Sequence, residues 1–246
     1  MHPYLKILNR TVPVYSLCII LGMFAGGTVA VLIAKRFNVS RDDTIYSYIY
    51  ALLGLVEGAK ILYLLLIIKS IPEIISRYGL LPLLQGGFVI YGGIAGGFCG
   101  VFIYARQFKM QARPLCSTLI TVTPLVQAFG RIGCLFAGCC YGIECAGPVC
   151  ITLNKTKRFP VQILSSVLDF ALFIFLLFTS KTKLKTKQVE LYAIGYSVIR
   201  FFCEFFRGDT DRGFLGPLST SQWISIIFFS WAVFSLIKFR AKKQTV

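Results

Sequence analysis

An all-α polytopic membrane protein of about seven transmembrane helices, amino terminus outside and carboxyl terminus cytoplasmic, is the fold class this sequence predicts. Three observations predict it. First, 56% of the 246 residues are hydrophobic and only 15% are charged, with a mean hydropathy of +0.73. Soluble domains carry about 25% charge. Second, seven apolar stretches come near the length of about 20 residues that spans hydrocarbon, at 13–34, 45–68, 85–105, 115–138, 161–179, 190–206 and 219–237. Third, Lys and Arg distribute unevenly over alternate connections, nine on one side and fourteen on the other. The richer side holds Lys35–Arg41, Arg106–Arg113, Lys181–Lys187 and the tail from Lys238, and the positive-inside rule makes it cytoplasmic.

The first stretch has no small-residue cleavage site and runs directly into Lys35-Arg36, so it is expected to be a retained helix. Pro124 is expected to kink the fourth. The chain reads as a single integral membrane domain, 1–246, whose longest connection, 139–160, faces outward and carries cysteines. A net charge of +16 would suggest nucleic acid in a soluble protein. Here the basic residues flank apolar runs, so the expected partner is the anionic headgroup of the membrane and no nucleic acid. Asn154-Lys155-Thr156 matches a glycosylation sequon, with meaning only in a source that glycosylates.

Glycine doublets permit close helix approach. Gly92, Gly93, Gly96, Gly97 and Gly100 are denser than packing demands and suggest a broken helix or backbone lying against a ligand. Lys60, Arg131 and Arg200 are charges inside or at the ends of apolar segments, costing at least about 2.5–3.5 kcal/mol each at a bilayer centre. For Lys60 two readings stand, a local ion pair with Glu57 three residues earlier and a charge that faces a cavity or partner. Arg200, Glu204 and Arg207 recur at i, i+4 and i+7, on one helical face. They either tie helices together at the interface or clamp a lipid phosphate, which the guanidinium fork bonds bidentately. Arg131 stands among Gly130, Gly133, Gly138 and Gly142, where bare backbone N–H groups reach an anion.

Cys134, Cys139, Cys140, Cys145 and Cys150 fall within 17 residues. Their spacing fits no common zinc or iron–sulfur pattern, and His2 is the only histidine, so no metal and no cofactor is expected. Three readings of the cluster stay open: a bridge from the 139–140 pair to Cys145 or Cys150, a metal site, and a reactive thiolate favoured by Arg131.

These segments, taken in order, resemble the bacterial prolipoprotein diacylglyceryl transferase family from about Val14 to Trp223. Tyr15 in VYSLCIILG resembles the tyrosine of the family's first helix, and Gly58-Ala59-Lys60 its G-A-R segment. IYGGIAGG at 90–97 resembles the H-G-G segment, and GRIGCLFAGCCYG at 130–142 the signature G-R-x-G-N-F-x-N-x-E-x-x-G. RFPVQIL, with Gln162, resembles R-H-P-x-Q-L-Y, and RFFCEFFRGD is similar to R-x-x-x-E-F-F-R-x-D, followed by Gln222. Tyr91, Cys134, Cys139 and Leu164 stand where the family has His, Asn, Glu and Tyr.

The resemblance implies an enzyme of the bacterial cytoplasmic membrane. It moves diacylglyceryl from phosphatidylglycerol, or another anionic phospholipid, to the lipobox cysteine of a prolipoprotein, releasing glycerol phosphate. Arg131, Arg200, Tyr15, Glu204 and Tyr91 are then the catalytic candidates. Gly92, Gly93, Gly130, Gly133, Gly142, Arg207 and Gln162 are the substrate-binding candidates. Cys134, Cys139 and Cys140 are possible redox or nucleophilic groups. Two alternatives remain: a relative with the same donor and another acceptor, and a small transporter whose pathway charges would include Glu57, Asp169 and Lys60.

Overall fold

The computed structural model describes residues 4–7, 10–153, 156–209 and 213–244. His2, the Asn154-Lys155 half of the sequon, and Arg212 lie outside them.

The chain enters through a hairpin of β1 (Tyr4–Ile7) and β2 (Arg10–Pro13), which runs directly into α1 (Val14–Ile33). α2 (Arg41–Leu66) starts four residues before the apolar stretch does. The Ser40 hydroxyl accepts the Asp43 N–H at 3.0 Å, and Asp42 and Asp43 sit in the positive first turn. Two short helices follow, α3 (Ile71–Tyr78) and α4 (Leu81–Gln85), each with proline at its start. α5 (Ile90–Gln107) begins five residues later than the hydropathy suggests. Gly87 has φ +69° there, and a Cβ on it would lie 2.2 Å from the Tyr63 ring, so the chain turns before the helix starts. α6 (Ala112–Ala137) runs through Pro124, while Thr118, Thr121 and Thr123 bond carbonyls one turn back. A hairpin of β3 (Ile151–Leu153) and β4 (Thr156–Arg158) leads to α7 (Val161–Thr179) and α8 (Gln188–Glu204). β5 (Phe214–Leu215) and β6 (Leu218–Ser219) then precede α9 (Thr220–Gln244).

Among the described residues, five helices are long and apolar enough to cross a membrane: Val14–Phe37, Arg41–Leu66, Ala112–Ala137, Val161–Thr179 and Thr220–Lys238. The chain is thus a mostly helical, polytopic membrane protein. The other two expected spans form helices of 18 and 17 residues, α5 and α8. The first is diluted by glycine, and the second carries Glu190, Arg200 and Glu204. The expectation of an all-α chain needs one correction. Three two-stranded antiparallel ladders occur among the described residues. Each precedes α1, α7 or α9, where chain outside hydrocarbon must pair its own backbone groups.

α6 is the most enclosed helix. It packs against α1, α7 and α8, while α2 pairs with α5 and α8 with α9. Glycine sets the closest approaches. A Cβ on Gly96 would lie 2.0 Å from the Gly54 carbonyl oxygen, one on Gly92 2.3 Å from that of Gly58, and one on Gly100 2.2 Å from that of Tyr50. The dense glycines of 92–100 therefore belong to an unbroken helix pressed against α2, not to a broken one. Lys60 also departs from the first of its two readings. Its Nζ donates to the carbonyls of Leu84 and Gly86, which close α4, and lies over the Tyr63 and Phe88 rings, in place of an ion pair with Glu57.

The end where α1 finishes and α2 begins is polar and basic. Arg36 donates to the Ser180 hydroxyl at 2.9 Å, Lys185 to the Arg36 carbonyl at 3.0 Å, and Arg113 pairs with the buried Glu190 at 2.6 Å.

Replacing Gly96 by Leu should destabilise the folded protein by about 1–3 kcal/mol or prevent its accumulation, because backbone stands where the side chain must go. Gly97→Ala, whose Cβ would meet Ala51 at an ordinary 3.5 Å, should leave thermal stability in detergent within about 0.5 kcal/mol of the parent.

Candidate active site at the hairpin end of the bundle

The opposite end gathers the start of α1, the ends of α6 and α8, and the starts of α7 and α9. Its framework is backbone. Gly138 ends α6 in the left-handed conformation, φ 70°. The chain then runs extended between two neighbours: Ile143 N–H donates to Phe206 O at 3.0 Å, Gly208 N–H to Tyr141 O at 2.9 Å, and Phe159 N–H to Ile143 O at 2.9 Å. Gly142 lies at the crossing, bridged to Arg207. A Cβ on it would stand 2.2 Å from the Phe159 carbonyl oxygen and 3.0 Å from that of Phe206. This cap joins three segments far apart in sequence, and it is what brings the candidate residues together.

Arg200 is held within α8 by Glu204 at 3.0 Å and across to α9 by the Ser221 hydroxyl at 2.8 Å. The Glu204 carboxylate is 2% exposed and also faces Arg207 at 3.7 Å. Arg207 does not lie on the helical face expected from its spacing. α8 stops at Glu204, and Arg207 enters the cap, where it forks onto both carboxylate oxygens of Asp209. From α6, Arg131 comes within electrostatic reach of Asp169 on α7, Tyr196 on α8, Cys134 and Cys140. Asp169 is 1% exposed and interacts with both Arg131 and Arg200. One of its oxygens, Oδ1, accepts no hydrogen bond among the described residues. Arg131, Arg200 and Arg207 thus face Asp169, Glu204 and Asp209 at this end of the bundle, where Arg158 also pairs with Glu144 in the cap, since a charge next to hydrocarbon must be compensated locally.

The thiols form a second group. The Sγ atoms of Cys134, Cys139 and Cys140 all lie within 4.8 Å of one another, and Tyr15 faces all three. Cys140 has φ 53°, a left-handed conformation rare for a side-chain-bearing residue, which follows the left-handed Gly138. A hydrogen bond from Cys134 holds the Cys140 thiol below the ordinary thiol range, with Arg207 and Arg131 adding to it, whereas burial raises that of Cys139. The expected bridge from the 139–140 pair is not formed. The disulfide joins Cys145 to Cys150 within the connection. Cys139 is held elsewhere: its N–H donates to Cys134 O at 3.2 Å, and its carbonyl accepts from the buried Gln162 amide at 2.9 Å.

Of the other sequence candidates, Gly130 and Gly133 lie on the seam with α1, where a Cβ on Gly133 would meet Tyr15 at 3.0 Å. Tyr91 opens α5, 45% exposed, and makes no hydrogen bond or ring contact with the arginines among the described residues. Gly92 and Gly93 pack on α2, away from the arginines. Gln222 works with Ser219 as a reciprocal cap of α9, accepting the Ser219 N–H at 2.9 Å while its own N–H donates to the Ser219 hydroxyl at 3.2 Å. Sequence reading missed Ser221 and the site role of Asp169, and carried Asp209 only as the last residue of RFFCEFFRGD, without a role. Asp169 had a signal: it is the one acid within the apolar run 161–179.

The cap predicts a clear contrast. Gly142→Ala should abolish amide-exchange protection across 141–145 and 206–208. Gly147→Ala, with its nearest neighbour 4.0 Å away, should leave that protection unchanged.

The model of the prolipoprotein diacylglyceryl transferase family matches residues 3–238. Proteins named phosphatidylglycerol–prolipoprotein diacylglyceryl transferase are similar over nearly their whole lengths. That of Clostridium tetani is 36% identical over 92% of this chain and 93% of its own. The second such protein of Clostridium perfringens is 35% identical over 94% and 93%, and that of Finegoldia magna 30% over 94% and 92%. With an arginine-rich hairpin end on a polytopic helical bundle, this chain belongs to the prolipoprotein diacylglyceryl transferase family.

Proposed function

We propose that the chain transfers the diacylglyceryl group of phosphatidylglycerol to the lipobox cysteine of prolipoproteins, and that Arg131, Arg200 and Arg207 form the clamp for the donor phosphate. The observation that carries the clamp is the convergence of these side chains from α6, α8 and the cap on carboxylates that are almost fully buried. A phosphate brought into such a group finds donors already oriented. The acceptor sulfur attacks the glycerol carbon that bears the phosphate. The carbon–oxygen bond breaks with its electron pair staying on oxygen, and glycerol phosphate leaves with its charge met by guanidinium. Preorganised donors of this kind are typically worth about 2.7–4 kcal/mol each. Glu204 and Asp209 fix the forks of Arg200 and Arg207, and Asp169 balances Arg131. Tyr15 lines the acceptor side beside the thiols.

The membrane arrangement follows from the charge asymmetry. All seven major helices cross, the hairpin end faces out of the cytoplasmic membrane, and the basic end with Arg36, Arg113 and Lys185 faces the cytoplasm. The acceptor segment then reaches the site from the outer leaflet side, where its donor lipid also resides.

Purified protein given phosphatidylglycerol and a lipobox peptide should raise the peptide mass by one diacylglyceryl group at its cysteine. Arg131→Ala or Arg200→Ala should each reduce the rate by about 100- to 1,000-fold with insertion intact, and Arg200→Lys should recover part of it. Turnover near the parent's in either alanine variant contradicts the clamp. No mass increment, with an authentic family enzyme active in parallel, contradicts the assigned acceptor.

A further inference from the structure

The cysteines of 134–140 match no metal pattern along the sequence, yet three of them converge in space from the last turn of α6 and the turn that follows it. We propose that Cys134, Cys139 and Cys140 bind Zn2+ as three thiolates and leave its fourth position for the acceptor cysteine of the prolipoprotein.

The geometry is near what zinc needs. Zinc–sulfur bonds of about 2.3 Å in a tetrahedron set sulfur atoms about 3.8 Å apart, and the three Sγ atoms already lie within 4.8 Å of one another. Each pair of sulfur atoms therefore has to close by no more than about 1 Å. The backbone is fixed for this arrangement: Gln162 holds the Cys139 carbonyl, Cys139 N–H bonds the Cys134 carbonyl, and left-handed Cys140 turns back over the end of α6. The remaining cysteines of the connection are removed from competition by their own bridge, Cys145–Cys150.

Charge fits as well. Three thiolates and Zn2+ carry a net charge of minus one, and Arg131 and Arg207 are the cations facing Cys140. Among the described residues no histidine or carboxylate completes the ligand set. Cys139 is exposed, so the site opens outward. Structural zinc sites close with four protein ligands, and catalytic ones keep a place free.

This inference rests on the acceptor named above and supplies what that reading lacks, a means of ionising the acceptor thiol. A thiol bound to zinc is deprotonated outright. Its proton leaves to solvent on binding. The zinc-bound sulfur then attacks the glycerol carbon, the carbon–oxygen bond breaks towards the phosphate held by the arginines, and the thioether product leaves the metal. Zinc is neither oxidised nor reduced.

The test uses full-length protein purified in detergent, with a Cys145→Ser, Cys150→Ser variant in parallel so that no thiol of the opened bridge competes; both are kept under reducing conditions, stripped with a chelator and reloaded with Zn2+. One zinc per chain is expected. Zinc should protect Cys134, Cys139 and Cys140 from alkylation and leave Cys145 and Cys150 of the parent, freed by the reductant, reactive. Cys139→Ser and Cys140→Ser should each lose most of the bound metal. Lipobox peptide without donor lipid should be retained by the zinc-loaded protein and lose alkylation at its own thiol, while a Cys→Ser peptide is not retained. The stripped protein should transfer at least tenfold more slowly and recover with zinc.

Zinc binding that survives Cys140→Ser overturns the site. So does a disulfide among the three cysteines with no zinc uptake after reduction. Full transfer by the stripped protein overturns the role. Failure of the zinc-loaded protein to transfer, with peptide retention intact, counts against the proposed reaction and not against the metal site.

Discussion

One carboxylate, that of Glu204, stands between Arg200 and Arg207 where α8 gives way to the hairpin cap, and the charge arrangement of this end depends on it. A guanidinium there loses water and needs a fixed counter-charge. Glu204 supplies it to both arginines from the last residue of α8, 3.0 Å from one and 3.7 Å from the other. Removing it would leave two neighbouring cations facing each other in a site with little water. The arrangement therefore holds positive charge ready without letting it collapse onto the helix ends. Asp209 and Asp169 extend the same principle to Arg207 and Arg131.

The cap turns this charge group into a site. Gly142 and Gly208 permit three strands of chain to cross at backbone distance, a Cβ on Gly208 meeting the Gly142 carbonyl oxygen at 2.5 Å. The ends of α6 and α8 are thereby fixed relative to each other outside the membrane, where helix packing alone could let them splay. The glycine contacts between α2 and α5 perform a different task. They join the helix pair that flanks the bundle, and none of Arg131, Arg200, Arg207, Asp169, Glu204 and Asp209 belongs to either helix.

Much of the fold was legible because hydrocarbon imposes a length and a polarity on every span. The boundaries moved where local chemistry outweighed hydropathy: Ser40 started α2 early through its cap, and Gly87 delayed α5 by turning the chain. The site was legible only in part. Arg131, Arg200 and Glu204 stood out because charge in an apolar run is costly. Arg207 was assigned to a helical face because periodicity cannot announce where a helix stops. Gly92 and Gly93 looked like ligand-binding backbone, since a sequence does not say which helix lies against them. The cysteines were the hardest to read. Five lie close in sequence, but pairing depends on the turn at Gly138–Cys140, and that turn separates a bridged pair from three convergent thiols.

On the proposed function, the guanidiniums form a phosphate site before any acceptor arrives. The most direct test is equilibrium binding of glycerol phosphate, the released product, to the purified protein and to its Arg131→Ala and Arg200→Ala variants across a range of salt. Binding should weaken with salt and fall at least tenfold in each variant. Equal binding by the parent and both variants would contradict the clamp.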